Sequence, residues 1–176
     1  EYLIYQTLVG VYTPDAGDLL PRLTEYAIKA VREAKVHTSW INPNTDYENG
    51  VKAFIERLLD PSPQNAFVKD LESLCETVSC FGMLNSLSQT VLKLTAPGVP
   101  DFYQGSEVLE LNLVDPDNRR PVDYDRRRGI LESLDQADAA ALLESGLDGR
   151  LKLCVIRRLL QLRQECERLF AEGGYE

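Results

Sequence analysis

The chain has 176 residues, 44% of them apolar and 27% charged, a balance that suits one soluble core of moderate size. Its 19 basic and 28 acidic groups leave a net charge of -9, which opposes nonspecific attraction to nucleic acid or to anionic lipid and favours a neutral substrate or a protein partner. No apolar run approaches the ~20 residues of a membrane-spanning helix, and Glu1 to Gly10 lacks the basic start and cleavage pattern of a signal peptide, so the expected compartment is the cytoplasm.

The opening stretch is apolar from the start (Tyr2, Leu3, Ile4, Leu8, Val9, Val11) and has no polar lead-in, as expected of a cut from a longer chain. After the turn Thr13-Pro14-Asp15-Ala16-Gly17, Asp18 is placed to cap a helix. The apolar positions Leu19, Leu20, Leu23, Ala27, Ala30, Val31 and Ala34 recur there at steps of three and four, and Pro21 is tolerated in the first turn. Glu25, Lys29 and Glu33 form a charge ladder beside that stripe. Thr45 and Glu48 have the spacing of a capping box and introduce Val51, Phe54, Ile55, Leu58 and Leu59, an amphipathic helical face.

Asp60-Pro61-Ser62-Pro63 ends that helix, and Ser62 and Pro63 are expected to start another through Phe67, Leu71, Leu74, Cys75 and Val78. Gly82 is expected to separate it from a helix over Met83 to Leu94, apolar on most sides and so covered by neighbours. Thr95 to Pro100 is a breaker cluster, and the aromatic-rich Asp101 to Gly105 reads as a short buried strand. A long polar loop follows, from Ser106 to Tyr124. Short helices are expected at Asp125 to Leu134 and Gln136 to Glu144, and a long one from Gly149 to Leu169. Cys75, Cys80, Cys154 and Cys166 are too irregularly spaced for a disulfide framework or a zinc site, and His37 is the only histidine. Free, largely buried thiols are expected, with no metal and no cofactor. A lone strand cannot satisfy its own backbone, so the chain reads as mainly α with a strand whose partners lie in residues outside it.

The run Leu94-Thr95-Ala96-Pro97-Gly98-Val99-Pro100-Asp101-Phe102-Tyr103-Gln104-Gly105-Ser106-Glu107 resembles the end of the (β/α)8 barrel of α-amylase-superfamily enzymes, where a Pro-Gly turn feeds the eighth strand and a Tyr-x-Gly-x-Glu segment leaves it. The segment from Val114 to Asp123 (Val-Asp-Pro-Asp-Asn-Arg-Arg-Pro-Val-Asp), with Arg32 to Trp40 (Arg-Glu-Ala-Lys-Val-His-Thr-Ser-Trp) and Tyr5 to Leu8, resembles the maltooligosyltrehalose synthases. The resemblance covers nearly the whole chain. It implies a helical insertion over 1–65. It also implies the end of a (β/α)8 barrel over 66–170, comprising a helix, the eighth strand 101–105, the long loop 106–124 and closing helices. Over 171–176 it implies the start of a truncated C-terminal β-sandwich.

The activity implied is an intramolecular transglycosylation that converts the reducing-end α-1,4 bond of a maltooligosaccharide into an α,α-1,1 bond by the retaining scheme. The family's catalytic nucleophile Asp, acid/base Glu and stabilising Asp follow barrel strands four, five and seven. The last lies in a His-Asp-Thr-Lys-Arg-Ser-type segment. Here the only histidine, His37, precedes Thr38, so no catalytic residue is expected in this chain. The implied partners are a maltooligosaccharide and the rest of a parent chain, with neither nucleic acid nor membrane.

Active sites of such barrels form from loops after the strands, which points Gln104 to Asp123 at the sugar. Arg119 and Arg120 are candidate donors to hydroxyls, and Asp117, Asn118 and Asp123 candidate acceptors. The competing reading is that these charges pair among themselves to hold the loop. Tyr103 and Gln104 point either into the barrel or toward the pocket, and Glu107 is assigned a structural role. Lys35, His37 and Trp40 are candidates to recognise the reducing-end sugars; alternatively, Lys35 complements a helix end and Trp40 packs in the core. Arg126-Arg127-Arg128 is read as a solvated helical turn. Two other functions stay open: a self-contained helical interaction module with an acidic surface, and a fragment of another α-amylase-superfamily glucan hydrolase.

Overall fold

A computed structural model of the protein describes residues 1–14, 17–144 and 148–174, and the side chains of all of these but Gln136, Ala139 and Glu144. Its helices are α1 (Tyr2–Val11), α2 (Leu19–Ala34), α3 (Thr45–Leu58), α4 (Ala66–Thr95), α5 (Tyr124–Ser133), α6 (Ala139–Glu144), α7 (Arg150–Glu165) and α8 (Glu167–Glu172), with single 3-10 turns at Asp117–Arg119 and Leu134–Gln136. Helix predominates, as the periodicity predicts, and no strand is present among the described residues. The chain divides into two compact units, Glu1–Val78 with Leu111–Arg120 and Ser79–Glu110 with Pro121–Glu176.

In the first unit, Ile4, Leu8 and Val11 are spaced to share one face of α1, so the apolar opening is itself helical. They join Leu19, Leu23 and Ala27 of α2, Ile55 of α3, Leu71 and Cys75 of α4, and Leu113 in one core. Leu8, Leu23 and Ile55 are fully buried, each burial contributing about 2 kcal/mol of transfer free energy. The Tyr5 and Phe67 rings pack at 5.5 Å. The Tyr12 hydroxyl donates to Glu72 Oε1 at 3.0 Å, and burial together with that carboxylate pushes the phenol up to about 12.

Three local expectations are corrected here. Asp18 occupies the N-cap of α2 but makes no cap bond, its carboxylate accepting from Arg22 and Arg120 instead. The cap of α3 is Asn44, whose Oδ1 accepts from Tyr47 N at 3.1 Å. Thr45 is the first helical residue, and Glu48 turns away to bind Arg32 and Thr38. Helix α4 is continuous for 30 residues, starting after Asn65, whose Oδ1 accepts from Phe67 N. Gly82 lies inside it because a single helical glycine costs only about 1 kcal/mol.

The second unit has a smaller core, Leu134, Leu142 and Leu153 with Ile130, Leu151 and Cys154 packed against them. The C-terminal half of α4 leaves Phe81, Leu84 and Leu92 exposed, contrary to the expected cover. Only Cys75 among the four free thiols is buried, and burial pushes its pKa up; Cys80 is exposed on α4. Arg163 of α7 donates to Leu94 O at 2.9 Å, Ala96 O at 3.1 Å and Gly98 O, capping the end of α4 with one guanidinium. The long helix expected to Leu169 breaks at Cys166, and α8 restarts beyond it.

Asp101 to Tyr103 has no regular structure and the chain turns at Gln104, where Ser106 N donates to Tyr103 O at 3.0 Å. The expected strand 101–105 is absent because a strand exists only through ladder bonds, and no described segment pairs with it. Lys93 fixes this stretch by donating to Asp101 O at 2.9 Å and lying 3.6 Å over the Phe102 ring. Before α7 the chain turns at Gly149, φ +91°, where a Cβ would stand 2.7 Å from Val108 Cβ. The β-sandwich expectation for Tyr175 and Glu176, and the Asp15-Ala16 part of the first turn, lie outside the described residues.

Candidate functional site

The loop Leu111–Arg120 has no sheet or helix to fix it beyond one 3-10 turn, so its backbone must be held by side chains. Arg22 of α2 does this with a planar fork: Nε and Nη2 donate to the two Asp117 carboxylate oxygens, both at 2.9 Å, and Nη2 also to Leu111 O at 2.6 Å. Asp117 Oδ2 accepts Leu113 N at 2.7 Å as well. Burial raises the Asp117 pKa, but Arg22 and the Leu113 amide outweigh it, and the carboxyl is held below its ordinary value. Arg120 donates to Asp18 Oδ2 at 2.7 Å and to Asn112 Oδ1 at 2.9 Å. Lys29 Nζ reaches Asp115 O at 2.5 Å, and Arg119 Nε stands 2.5 Å from Asp115 Oδ1.

The first unit therefore brings Asp117, Asn118, Arg119 and Arg120 together, with their charges paired as the loop-holding reading expects. Asp117 is spent on that bracing, its side chain being 9% exposed, whereas the Arg119 side chain is 71% exposed and presents its guanidinium to solvent. Asn118 is half-buried in the 3-10 turn.

A second cluster sits where α2 runs into α3. Lys35 takes the left-handed C-cap position, φ 56°, which reverses the chain after α2. Glu48 of α3 is buried and accepts from Arg32 Nε at 2.8 Å, Arg32 Nη2 at 2.6 Å and Thr38 Oγ1 at 2.7 Å. Those bonds, led by Arg32, lower its pKa to about 2. The clamped Arg32 guanidinium lies 4.8 Å from the centroid of the Trp40 ring. Trp40 is 57% exposed and is not packed into the core formed by the described residues. It forms a wall of a cleft of about 400 Å³ with Ile28, Lys29, Glu25, Lys52 and Pro116. His37 is exposed and packs on the Tyr47 ring at 4.9 Å; neither His37 nor Lys35 lines the cleft.

In the second unit, Tyr103 and Gln104 are exposed on the turn that precedes Glu107. Arg127, expected in a solvated turn, is instead buried, because it donates to Gly105 O at 2.8 Å, Asp123 O at 3.0 Å, Glu107 Oε2 at 3.3 Å and Glu110 Oε1. Asp123 caps α5, its Oδ1 accepting Arg126 N at 2.9 Å. Lys152 Nζ points at Val108 O from 3.3 Å, and burial, then nearby Lys93, lowers its pKa. Among the described residues no group of His, Cys, Asp or Glu is placed to hold a metal ion, and no helix is long and apolar enough to cross a membrane.

Sequence reasoning does not single out Arg22, Lys29 and Arg127 as organising residues. The signal available is generic: each lies on a helix as an ordinary surface charge by periodicity, and its partners are up to 95 residues away.

No family model matches the chain. A Mycobacterium tuberculosis protein named as a maltooligosyl trehalose synthase is 38% identical over 98% of this chain. A crystal structure of a maltooligosyl trehalose synthase superposes with a TM-score of 0.90 at 39% identity, covering 99% of this chain and 24% of that one. The maltooligosyltrehalose synthase of Arthrobacter ramosus gives a TM-score of 0.81 at 34% identity over 96% of this chain and 21% of that one. These matches define the class, synthases named for trehalose-bearing sugars, and the chain shares their fold along the matched length. It spans about a fifth of the curated relative. Along nearly its whole length the chain is similar to one section of these maltooligosyl trehalose synthases.

Proposed function

We propose that the chain is one section of an isomerase that rearranges the reducing-end α-1,4-glucosidic bond of a maltooligosaccharide into an α,α-1,1 bond, working in the cytoplasm, and that this section walls the sugar site without supplying the catalytic carboxylates. The observation that carries the reading is the match at 38% identity over 98% of the chain. In the retaining scheme a carboxylate attacks the anomeric carbon while a carboxylic acid protonates the departing O4 of the terminal glucose. That glucose then turns, its own C1 hydroxyl attacks the glycosyl-enzyme, and the conjugate base takes the proton. Both carboxyl groups are assigned to residues outside this chain, and the present residues are assigned to the end of the (β/α)8 barrel with its helical insertion.

Within the wall, Arg119 and Arg120 donate to sugar hydroxyls, with Asn118, Tyr103, Gln104, Lys35, His37 and Trp40 as further contacts. Asp117 and Asp123 act by holding loop and helix, since the Asp117 carboxylate already accepts from Arg22 and the Leu113 amide, and that of Asp123 from the Arg126 amide. The test is direct. The purified chain given maltopentaose should yield no trehalosyl product by anion-exchange chromatography, and turnover would sink the placement of the carboxylates. In the longer enzyme R119A should raise KM; an unchanged KM would remove Arg119 from the wall.

A further inference from the structure

We infer that the cleft beside Trp40 is a binding subsite for one glucosyl residue of an α-1,4-glucan. The choice of an α-glucan among neutral sugars rests on the proposed function; the existence of a sugar subsite rests on geometry alone. Trp40 is the first part of that geometry. A half-exposed indole at 57% leaves a flat apolar surface in water, and a hexose offers the matching feature, a face of C–H groups rimmed by hydroxyls. One face of the ring is already covered: Arg32 lies over it at 4.8 Å, and Arg32 is itself bonded to Glu48, which Thr38 also holds. The chain Glu48, Arg32, Trp40 preorganises the platform before any ligand arrives.

The remaining walls supply what a sugar needs. Ile28 and Pro116 add apolar contact, while Lys52 offers three N–H donors and Glu25 a pair of acceptor oxygens. A donor and an acceptor together suit hydroxyls, which both give and take hydrogen bonds, and Glu25 opposes an anionic occupant. Lys29 has its ammonium committed to Asp115, so only its stem lines the wall. The volume, about 400 Å³, falls in the range of small-molecule sites and accommodates one hexose with water. The cleft is a holding site: its lining has a single carboxylate, Glu25, and so lacks the pair that bond cleavage requires.

Trp40 is the only tryptophan of the chain, so its fluorescence reports this cleft alone. Titrating the 176-residue chain with maltohexaose should give a saturable change with a millimolar Kd and should shield Trp40 from acrylamide quenching. K52M should weaken that Kd about tenfold, the loss of a hydrogen bond from a charged donor, with the helical circular dichroism unchanged. No response, an equal response in K52M, or an equal response to cellohexaose would each overturn the assignment. In the longer enzyme W40A should raise KM for maltohexaose more than it lowers kcat, with W40F restoring part of it. That arm decides the matter should the isolated chain show no helical signal. A longer enzyme that makes no trehalosyl product would sink the proposed function and leave the Trp40 response standing. Product formed with neither fluorescence nor KM moved would sink the subsite alone.

Discussion

Two irregular stretches of this molecule are each held by one arginine, in different ways. Arg22 spends its fork on a single carboxylate, Asp117, and adds one loop carbonyl, Leu111 O, and Asp18, so it fastens the loop 111–120 at two residues. Arg127 divides its donors between two carboxylates and two carbonyls, fastening the turn 103–110 and the start of α5 at four points. The first arrangement is strong but local, and leaves the neighbouring Arg119 exposed. The second is distributed, and its central guanidinium is buried. A guanidinium rather than an ammonium is required in both, because only a planar fork addresses several acceptors in fixed directions.

The contrast predicts unequal costs of deletion. R127M strands Glu107 and Glu110 and leaves the carbonyls of Gly105 and Asp123 without that donor, and should destabilise the chain by about 3 kcal/mol in urea unfolding. A loss under about 1 kcal/mol would show that the turn does not depend on its arginine. R22M should cost less, about 2 kcal/mol, since Asp117 retains the Leu113 amide and Arg120 nearby. A cost exceeding that of R127M would reverse the ranking.

Acid separates a third arginine site from these. Glu48 has its pKa depressed to about 2, so its contribution is fully present above the unfolded carboxylate value of ~4.3 and is lost as pH falls toward the folded value. The stability gap between the parent chain and E48Q, read from urea midpoints, should thus be largest near about pH 6 and close as the pH approaches the folded value. A gap independent of pH would mean that Glu48 acts through shape and not charge. The smallest effect has the opposite sign. Gly82 lies inside α4, and a Cβ added there would meet nothing within 4 Å, so G82A should raise the melting temperature slightly, by up to about 1 kcal/mol in stability. Destabilisation would reveal a constraint on that helix that its geometry does not show.

Much of the fold is legible in the sequence because helices announce themselves locally. The stripes of α2, α3 and α7 follow from residues three and four apart; α2 and α3 lie close to the bounds those stripes predict, whereas α7 starts as predicted and stops at Glu165, short of Leu169. The failures arise where two local rules compete. Asn44 and Thr45 are both capping types, and the Thr45–Glu48 spacing favours the wrong one because Glu48 has a stronger partner in Arg32. Gly82 resembles a breaker, yet neighbouring helix formers carry α4 through it. The strand expected at 101–105 rests on aromatic content, which describes what a sheet accepts and cannot create a partner. At the candidate site the residue types are visible but the pairings are not: nothing near Asp117 in sequence points to Arg22, and nothing near Trp40 points to Lys52 or Pro116.

Gly149 shows how such a fold narrows its own sequence. Its backbone sits at φ +91°, a region that side-chain-bearing residues rarely adopt, and the space a Cβ would enter is already held by Val108. The two barriers are independent. Trimming Val108 to alanine relieves one contact, with its own Cβ still 2.7 Å away, and leaves the dihedral strain untouched. No single neighbouring change therefore opens position 149 to variation, and drift among related sequences should pass around that glycine while Val108 moves only among residues that keep clear of it.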